Sequence, residues 1–453
     1  MYINPMSGEN KSYHFEHAYI DGAWCKAVLM HVGAGGTITS IAVDTAPLDT
    51  STVFKGYAVP AMGNAHSHAF QRAFAGLAEH MQAGNPDSFW SWRKNMYGFV
   101  RHLSPEHTLA IASQLYVEML KAGYTRVGEF HYVHNDVDGQ PYSEPAIMSN
   151  AIIEAANVAG IGLSLIPILY QQAGFDGGAL AAGQDRFYLS VDDYLRLYDD
   201  IDNAEKSIGF HSLRAVSMPT IKEVLAKKLS TQAIHMHIAE QDKEVDDCLA
   251  HSGQRPIDFL FDQLDVDEKY CLVHATQVTK QELQKLAKSK AVVALCPSTE
   301  ANLGDGIFPT SDYLQMNGRF AIGTDSHVTI DPMAELRSLE YKERLAQKSR
   351  IILGGASQLW QMAGEGAAQV LGGTGKLTVG GFADVIIISG QHPSIFAHPQ
   401  ERIFDSFIFT HHAPLVEHVI SGGDWLVKNG KHIDEENILT NYNKTIKSIM
   451  DIL

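Results

Sequence analysis

Short apolar segments alternate with helical segments between residues 57 and 325, and this alternation constrains the fold more than any other feature of the chain. The eight candidate strands are YAVPAM (57–62), TRVGEF (125–130), GLSLIPIL (162–169), SIGFHSL (207–213), AIHMHIA (233–239), YCLVHA (270–275), AVVALC (291–296) and FAIGTD (320–325). Strands separated by helices favour a parallel sheet, because a parallel crossover needs a long connection. Eight such units predict an α/β fold of the (β/α)₈ TIM-like barrel class.

A helix is predicted directly before the second of these strands. Ser104 is a preferred N-cap residue, Pro105 suits the first helical position, and Gly123 suits the C-terminal stop. The strand TRVGEF then begins at Thr125. The order helix, glycine stop and strand is the order that a βα barrel repeats.

Segments rich in β-forming residues lie on both sides of the predicted barrel. HAYIDGAW and GTITSIAV precede it, and KLTVGGFADVIIIS and EHVISGGDWLVKNGKHI follow it. Neither end is large enough for a core of its own, so we expect both ends to form one small β-sandwich-like domain. The predicted organisation is residues 1–56 plus 371–434 as the small β domain, 57–370 as the barrel and 435–453 as a C-terminal helix.

Metal-binding residue types occur at the ends of several candidate strands. In an extended backbone, residues two apart point to the same side, so His66 and His68 can reach one ion. The carboxyl ends of barrel strands share one mouth, where active sites lie. The predicted ligands there are His66, His68, His237 and Asp325. This set of three nitrogens and one oxygen suits Zn²⁺, with Fe²⁺ and Mn²⁺ as alternatives.

Two further residues are candidates for proton transfer beside this ion. Glu240 follows His237 by three residues, and His274 ends the sixth strand. A carboxylate just past a strand end can carry protons at an activated water. Taken alone, Glu240 could equally be a solvated residue at a helix start, and His274 a core histidine. His235 is interpreted as structural, and the H-x-E…P-C-x-x-C signature of nucleobase deaminases is absent.

The net charge and the cysteine content limit which partners and which cellular compartment are expected. The formal net charge of −17 disfavours binding to nucleic acid or to anionic membranes, and an anionic substrate would need local arginines. Four widely spaced cysteines without a CxxC pair predict free thiols. With no apolar run resembling a signal peptide or a membrane span, the sequence predicts a cytoplasmic protein.

The strand-end set, together with GFADVIII near the C-terminus, resembles the amidohydrolase superfamily over nearly the whole chain. Within it, NAHSHAFQRAFAGLAEH, SFWSWRKNMY, GEFHYVH, FHSLRAV, HMHIAEQ, LVHAT, STEANLGDGIFP and GTDSH resemble the formimidoylglutamate deiminases. The resemblance implies one divalent metal ion on the four predicted ligands. Relatives with two metals carry a bridging lysine on strand four, and residues 208–217 contain none.

The resemblance also implies a reaction and a homodimer. The reaction is hydrolytic deamination of N-formimino-L-glutamate to N-formyl-L-glutamate and ammonia, a step of histidine degradation, by a metal-activated hydroxide. Asp325 would take the proton of water, His274 would assist water activation or steady the tetrahedral intermediate, and Glu240 would protonate the leaving nitrogen. The implied substrate contacts are Arg93 and Arg214, for two carboxylates, with Gln71, Tyr132 and His211.

Two other classes of function compete with this one. Another amidohydrolase deaminase, acting on guanine or an adenosine, or an imidazolonepropionase-like ring hydrolase would need aromatic stacking rather than paired arginines. A non-catalytic ligand-binding relative would be expected to lose a ligand or a proton carrier, yet all are present. The segment 172–184 and the loop after Cys296 are candidates for closing over the substrate.

Overall fold

The computed structural model describes residues 8–79, 89–181, 183–202, 204–228, 232–410 and 415–452. Its strands, in chain order, are β1 (Lys11–Ile20), β2 (Ala23–Val32), β3 (Ile38–Ala42), β4 (Thr52–Pro60), β5 (Met62–Ser67), β6 (Tyr124–His131), β7 (Gly162–Leu169), β8 (Glu205–Lys206), β9 (Ile208–Ser212), β10 (Ile234–Ile238), β11 (Tyr270–His274), β12 (Val292–Leu295), β13 (Arg319–Ile322), β14 (Val385–Ile388), β15 (Val416–Ser421), β16 (Asp424–Lys428) and β17 (Lys431–His432). Its α-helices are α1 (Phe89–Val100), α2 (Pro105–Ala122), α3 (Ile147–Ala159), α4 (Val191–Asp200), α5 (Met218–Lys227), α6 (Asp242–Ser252), α7 (Pro256–Gln263), α8 (Lys280–Ser289), α9 (Pro297–Leu303), α10 (Thr310–Gln315), α11 (Pro332–Gln347), α12 (Ala356–Leu371), α13 (Ile403–Phe409) and α14 (Glu435–Met450).

Some of the sequence predictions fall partly outside these ranges. They concern His80 and Ser88 of the family-like motifs, residues 1–7 and 411–414 of the predicted small domain, residue 182 of a candidate closing segment, and Leu453. The described part of the chain has no helix that is both long enough and apolar enough to cross a membrane.

Eight parallel strands form a barrel in the order β5, β6, β7, β9, β10, β11, β12 and β13. The first and last strands meet at their carboxyl ends. There the Asp325 N–H donates to the His66 carbonyl at 3.0 Å, and the His68 N–H donates to the Asp325 carbonyl at 3.2 Å. Every residue of β6 and β7 is buried, as expected for strands covered on both faces. The predicted barrel is confirmed.

The two ends of the chain form a second, separate sheet in the order β17, β16, β15, β14, β4, β1, β2 and β3. Strand β4 joins the two ends, because it pairs in parallel with β1 and antiparallel with β14. The predicted first barrel strand, 57–62, is therefore wrong: Tyr57–Pro60 belong to this sheet, and the barrel begins at β5. Only Ala61 separates the two strands and apolar residues continue from Ala58 to Met62, so the pattern predicts a single strand, although Pro60 at the end of β4 could have indicated the boundary. The predicted domain boundary at residue 57 falls inside β4.

The helix predicted before the second barrel strand is confirmed as α2. The Ser104 hydroxyl accepts a hydrogen bond from the His107 N–H at 3.2 Å. Gly123 ends the helix with φ of 109°, a left-handed conformation that favours glycine. The C-terminal helix α14 packs on α2, where Lys121 and Glu435 form an ion pair of 2.6 Å.

Candidate active site

Three buried imidazoles converge at the carboxyl ends of β5 and β10. The Nε2 atom of His66 lies 3.1 Å from the Nε2 atoms of both His68 and His237. The opposite ring nitrogens face backbone carbonyls: Nδ1 of His68 lies 3.0 Å from the oxygen of Phe130, and Nδ1 of His237 lies 2.9 Å from the oxygen of His211. A carbonyl can only accept, so both rings carry their proton on Nδ1. Their Nε2 lone pairs therefore point toward one centre.

Asp325 completes this cluster from the end of β13. Its Oδ1 atom lies 3.2 Å from Nε2 of His68 and 3.6 Å from Nε2 of His66. The backbone of Asp325 is left-handed, with φ of 49°, which is uncommon for a residue other than glycine. The two backbone hydrogen bonds that close the barrel hold it there, so barrel closure itself brings the carboxylate to the histidines.

The donor set fits a divalent cation. Two ligands on a tetrahedral zinc ion, each at about 2.0–2.1 Å, stand about 3.3 Å apart, close to the observed nitrogen separations. Nitrogen lone pairs at 3.1 Å repel one another unless a cation lies between them. Burial holds the pKa of His66 well below its ordinary value, and the rings of His68 and His274 lower it further. The ring is therefore neutral, which is the form that binds metal.

His274 and Glu240 lie beside the cluster. Nε2 of His274 is 3.6 Å from Oδ2 of Asp325 and 3.7 Å from Oε1 of Glu240. Burial raises the pKa of Glu240 to about 7, against the lowering effect of His274. A carboxyl group with a pKa near neutrality can both accept and donate a proton, so this pair is suited to acid–base chemistry.

Two arginines reach the same cavity, which encloses about 480 Å³ including its open mouth. Arg93, on α1, donates to the Tyr170 hydroxyl at 2.9 Å and also to the Tyr97 hydroxyl. Arg214, just after β9, is 6% exposed, and its Nε and Nη1 atoms are buried without hydrogen-bond partners. Among the described residues, neither guanidinium is paired with a carboxylate. A buried cation without a counter-charge, such as Arg214, is costly, and this points to an anionic ligand.

The remaining predicted contacts line the same cavity. The side-chain amide of Gln71 donates to the Tyr132 hydroxyl at 3.3 Å, and its oxygen is buried without a partner. The His211 ring packs edge-on against the Tyr170 ring, with centroids 4.5 Å apart. His235 lies away from the cavity, fully buried beside the backbone of Val370. The structure brings together the predicted site residues, whose roles remain predictions: His66, His68, Gln71, Arg93, Tyr132, His211, Arg214, His237, Glu240, His274 and Asp325.

Sequence reasoning missed several polar residues at this site. Tyr97 lies one helical turn after Arg93 on α1, a spacing that brings side chains together and could have revealed it. Tyr170 directly follows the third barrel strand, so the strand-end argument applied to it as well. Gln184, the last residue of the candidate closing segment 172–184, donates to the Tyr170 hydroxyl at 2.7 Å, a contact that the sequence did not predict.

Comparison with known proteins adds independent observations. A model of the amidohydrolase family matches residues 57–426. The chain is 45% identical to a formimidoylglutamate deiminase of Pseudomonas aeruginosa, over 96% of this chain and 99% of that one. The crystal structure of an amidohydrolase from Brucella melitensis superposes with a TM-score of 0.90 at 36% identity, covering 97% of this chain and 100% of that one. An adenosine deaminase from Xanthomonas campestris with bound zinc shares the fold, with a TM-score of 0.81, 19% identity and coverage of 98% and 99%.

Proposed function

The chain belongs to the amidohydrolase family, and we propose that it hydrolyses N-formimino-L-glutamate to N-formyl-L-glutamate and ammonia. The similarity to a formimidoylglutamate deiminase over nearly the full length of both chains supports this substrate. The observation in the structure that carries the proposal is the pair of guanidiniums, Arg93 and Arg214, that face the cavity without a carboxylate partner among the described residues. Such a pair suits a small dicarboxylate.

The substrate carboxylates would bind at this cationic end. Guanidinium groups bind carboxylates through two parallel hydrogen bonds, which fixes orientation as well as position. The guanidinium carbons of Arg93 and Arg214 lie 5.5 and 6.0 Å from the centre of the same Trp90 ring, so both cations contact one aromatic side chain at this end of the cavity. Gln71, Tyr132 and His211 would contact the polar atoms between the carboxylates and the formimino group. In a chain of net charge −17, this local concentration of positive charge would be needed to attract the two carboxylates of the substrate.

His66, His68, His237 and Asp325 would hold one divalent cation, for which we propose Zn²⁺, with Fe²⁺ and Mn²⁺ as alternatives. When bound, such an ion supplies Lewis-acid chemistry and lowers the pKa of water from 15.7 to about 7. A single ion is proposed because β9, the fourth barrel strand, contains no lysine to bridge a second one.

The side chains beside the cation would move the protons. A C–O bond forms at the formimino carbon and the terminal C–N bond breaks, so both protons of the attacking water end on the departing nitrogen. Asp325 would accept the first proton, and His274 would hydrogen-bond the tetrahedral carbon's oxygen. Glu240, with its raised pKa, would deliver a proton to the nitrogen so that it leaves as ammonia.

The direct test incubates the zinc-loaded protein with N-formimino-L-glutamate and measures ammonia and N-formyl-L-glutamate together. We expect the two products in equal amounts, and no ammonia from guanine or adenosine at the same enzyme concentration. Ammonia from guanine or adenosine, without any from N-formimino-L-glutamate, would replace the proposal with ring deamination. No ammonia from any of the three substrates by a protein that retains its metal would support a non-catalytic relative.

A further inference from the structure

A row of three side chains runs from the cavity into the wall behind it: the buried His274 and Glu300 and the partly buried Lys342. Nδ1 of His274 lies 3.5 Å from Oε1 of Glu300, and Nζ of Lys342 lies 3.0 Å from Oε2 of the same carboxylate. Glu300 and His274 are each 1% exposed. The row links the end of β11 to α9 and α11, which follow β12 and β13, so three successive βα units contribute to it.

Glu300 is held on both of its oxygens. The Cys296 N–H donates to Oε1 at 2.8 Å, and the Lys342 ammonium donates to Oε2. Burial alone raises the pKa of the Glu300 carboxyl, but the Lys342 charge, the facing His274 ring and the Cys296 N–H outweigh burial and hold the pKa below its ordinary value. Glu300 is therefore a fixed carboxylate, whose remaining hydrogen-bonding capacity faces His274.

His274 itself is held in an unusual backbone conformation. Its φ is 66°, and the next residue, Ala275, is also left-handed with φ of 49°. Such conformations cost about 1–3 kcal/mol each and persist only where the surroundings hold them in place. The ring stands between acidic side chains on both sides, with Nδ1 toward Glu300 and Nε2 toward Glu240 and Asp325. One nitrogen faces the reacting end of the cavity and the other faces the protein interior.

We propose that Glu300, fixed by Lys342, is a positioning residue that keeps a proton on Nδ1 of His274 and so presents Nε2 to the reacting groups. This inference rests on the proposed function for its kinetic consequence, because His274 is assigned to the reaction there. A carboxylate that orients an active-site imidazole fixes its tautomer and increases its basicity. Loss of the outer partner of a metal-ligating histidine costs about 10–100-fold in activity, and we expect a loss of the same order for His274.

The first test does not depend on the substrate. The ring nitrogens of His274 are followed by NMR in the zinc-loaded, ¹⁵N-histidine-labelled protein, with assignment from His274→Asn. We expect a proton on Nδ1 in the native protein and a loss or mixture of that state in Glu300→Gln. A native protein with Nδ1 unprotonated, or an unchanged spectrum in Glu300→Gln, would overturn the inference, whatever the substrate proves to be.

The second test is kinetic and uses the fact that both Glu300 oxygens accept from donors. The side-chain amide of glutamine has one accepting oxygen, so it cannot replace both carboxylate oxygens of Glu300. Glu300→Gln should therefore lower kcat by about 10–100-fold with little change in KM. Adding Lys342→Met removes one donor and lets the amide oxygen turn toward Cys296 and His274. The double variant should therefore recover kcat by about 5-fold, the equivalent of one hydrogen bond.

Glu335→Gln is the matched control. Glu335, on α11, is also buried, and it accepts a hydrogen bond from the Ser298 N–H of α9 at 2.9 Å. Among the described residues, the acids within 4.0 Å of the His274 ring nitrogens are Glu240, Glu300 and Asp325, and not Glu335. We expect the kcat of Glu335→Gln to stay near the native value even if the stability of that variant falls. A Glu300→Gln variant with native kcat, or a double variant slower than Glu300→Gln, would show that the row is only an ion pair joining two helices.

Discussion

The two ends of the active-site cavity are built in different ways. At one end, His66, His237 and Asp325 are positioned by strand ends and by the backbone hydrogen bonds of the barrel. At the other end, Arg93 extends from α1 and is held by tyrosine hydroxyls, while Arg214 lies on a loop after β9. We infer from this difference that the two ends of the cavity have separate roles. The barrel strands position the groups that react, and side-chain contacts outside the barrel strands determine which substrate binds.

Loss of a histidine at the strand-end cluster should have the largest effect. His237→Ala removes one of three converging nitrogens, so we expect metal loss and a fall in kcat of at least about 10³-fold, because water then keeps a high pKa. Metal content by mass spectrometry and ammonia release are measured together. His235→Asn, on the same strand and also buried, should keep the metal. If His237→Ala retains a full equivalent of metal, the assignment of His237 as a metal ligand is wrong.

Removal of an arginine should affect binding rather than metal content. Truncating one partner of a buried charge pair costs about 2–5 kcal/mol, so Arg214→Ala should raise KM by about 30-fold or more. Arg93→Ala should behave in the same way. If either variant lost its metal, the arginines would be needed for metal binding. The separation between a metal-binding end and a substrate-binding end would then be wrong. Metal analysis and steady-state kinetics on the same preparation decide this.

The smallest effect should come from the tyrosines that hold Arg93. Tyr170→Phe removes one hydrogen bond to the charged guanidinium, worth about 1.5 kcal/mol, so KM should rise by about 10-fold while kcat is unchanged. Tyr313→Phe is the control, because its hydroxyl bonds backbone carbonyls at the far side of the barrel wall. A fall in kcat for Tyr170→Phe without a change in KM would contradict the division between the two ends.

The two ends also differ in how far the sequence could predict them. The residues at strand ends could be predicted, because alternation along a strand and the common direction of barrel strands place them at one mouth. Arg93 lies on a helix inserted between β5 and α2 and outside the βα repeat, so only family resemblance indicated it. Glu300 and Lys342 could not be predicted, since their contact with His274 joins three separate βα units. The β4–β5 boundary was missed because the apolar composition continues across it.

The most direct test of the account is the position of the metal. Crystals of the zinc-loaded protein would be measured at the zinc absorption edge, and the anomalous difference map would locate the ion. The account predicts one peak, about 2.0–2.2 Å from donor atoms of His66, His68, His237 and Asp325. A neighbouring group, Glu240, His274 and Asp305, could also hold a cation. A single peak there instead, or a second peak of equal height, would contradict the one-metal site and the proton-transfer roles built on it.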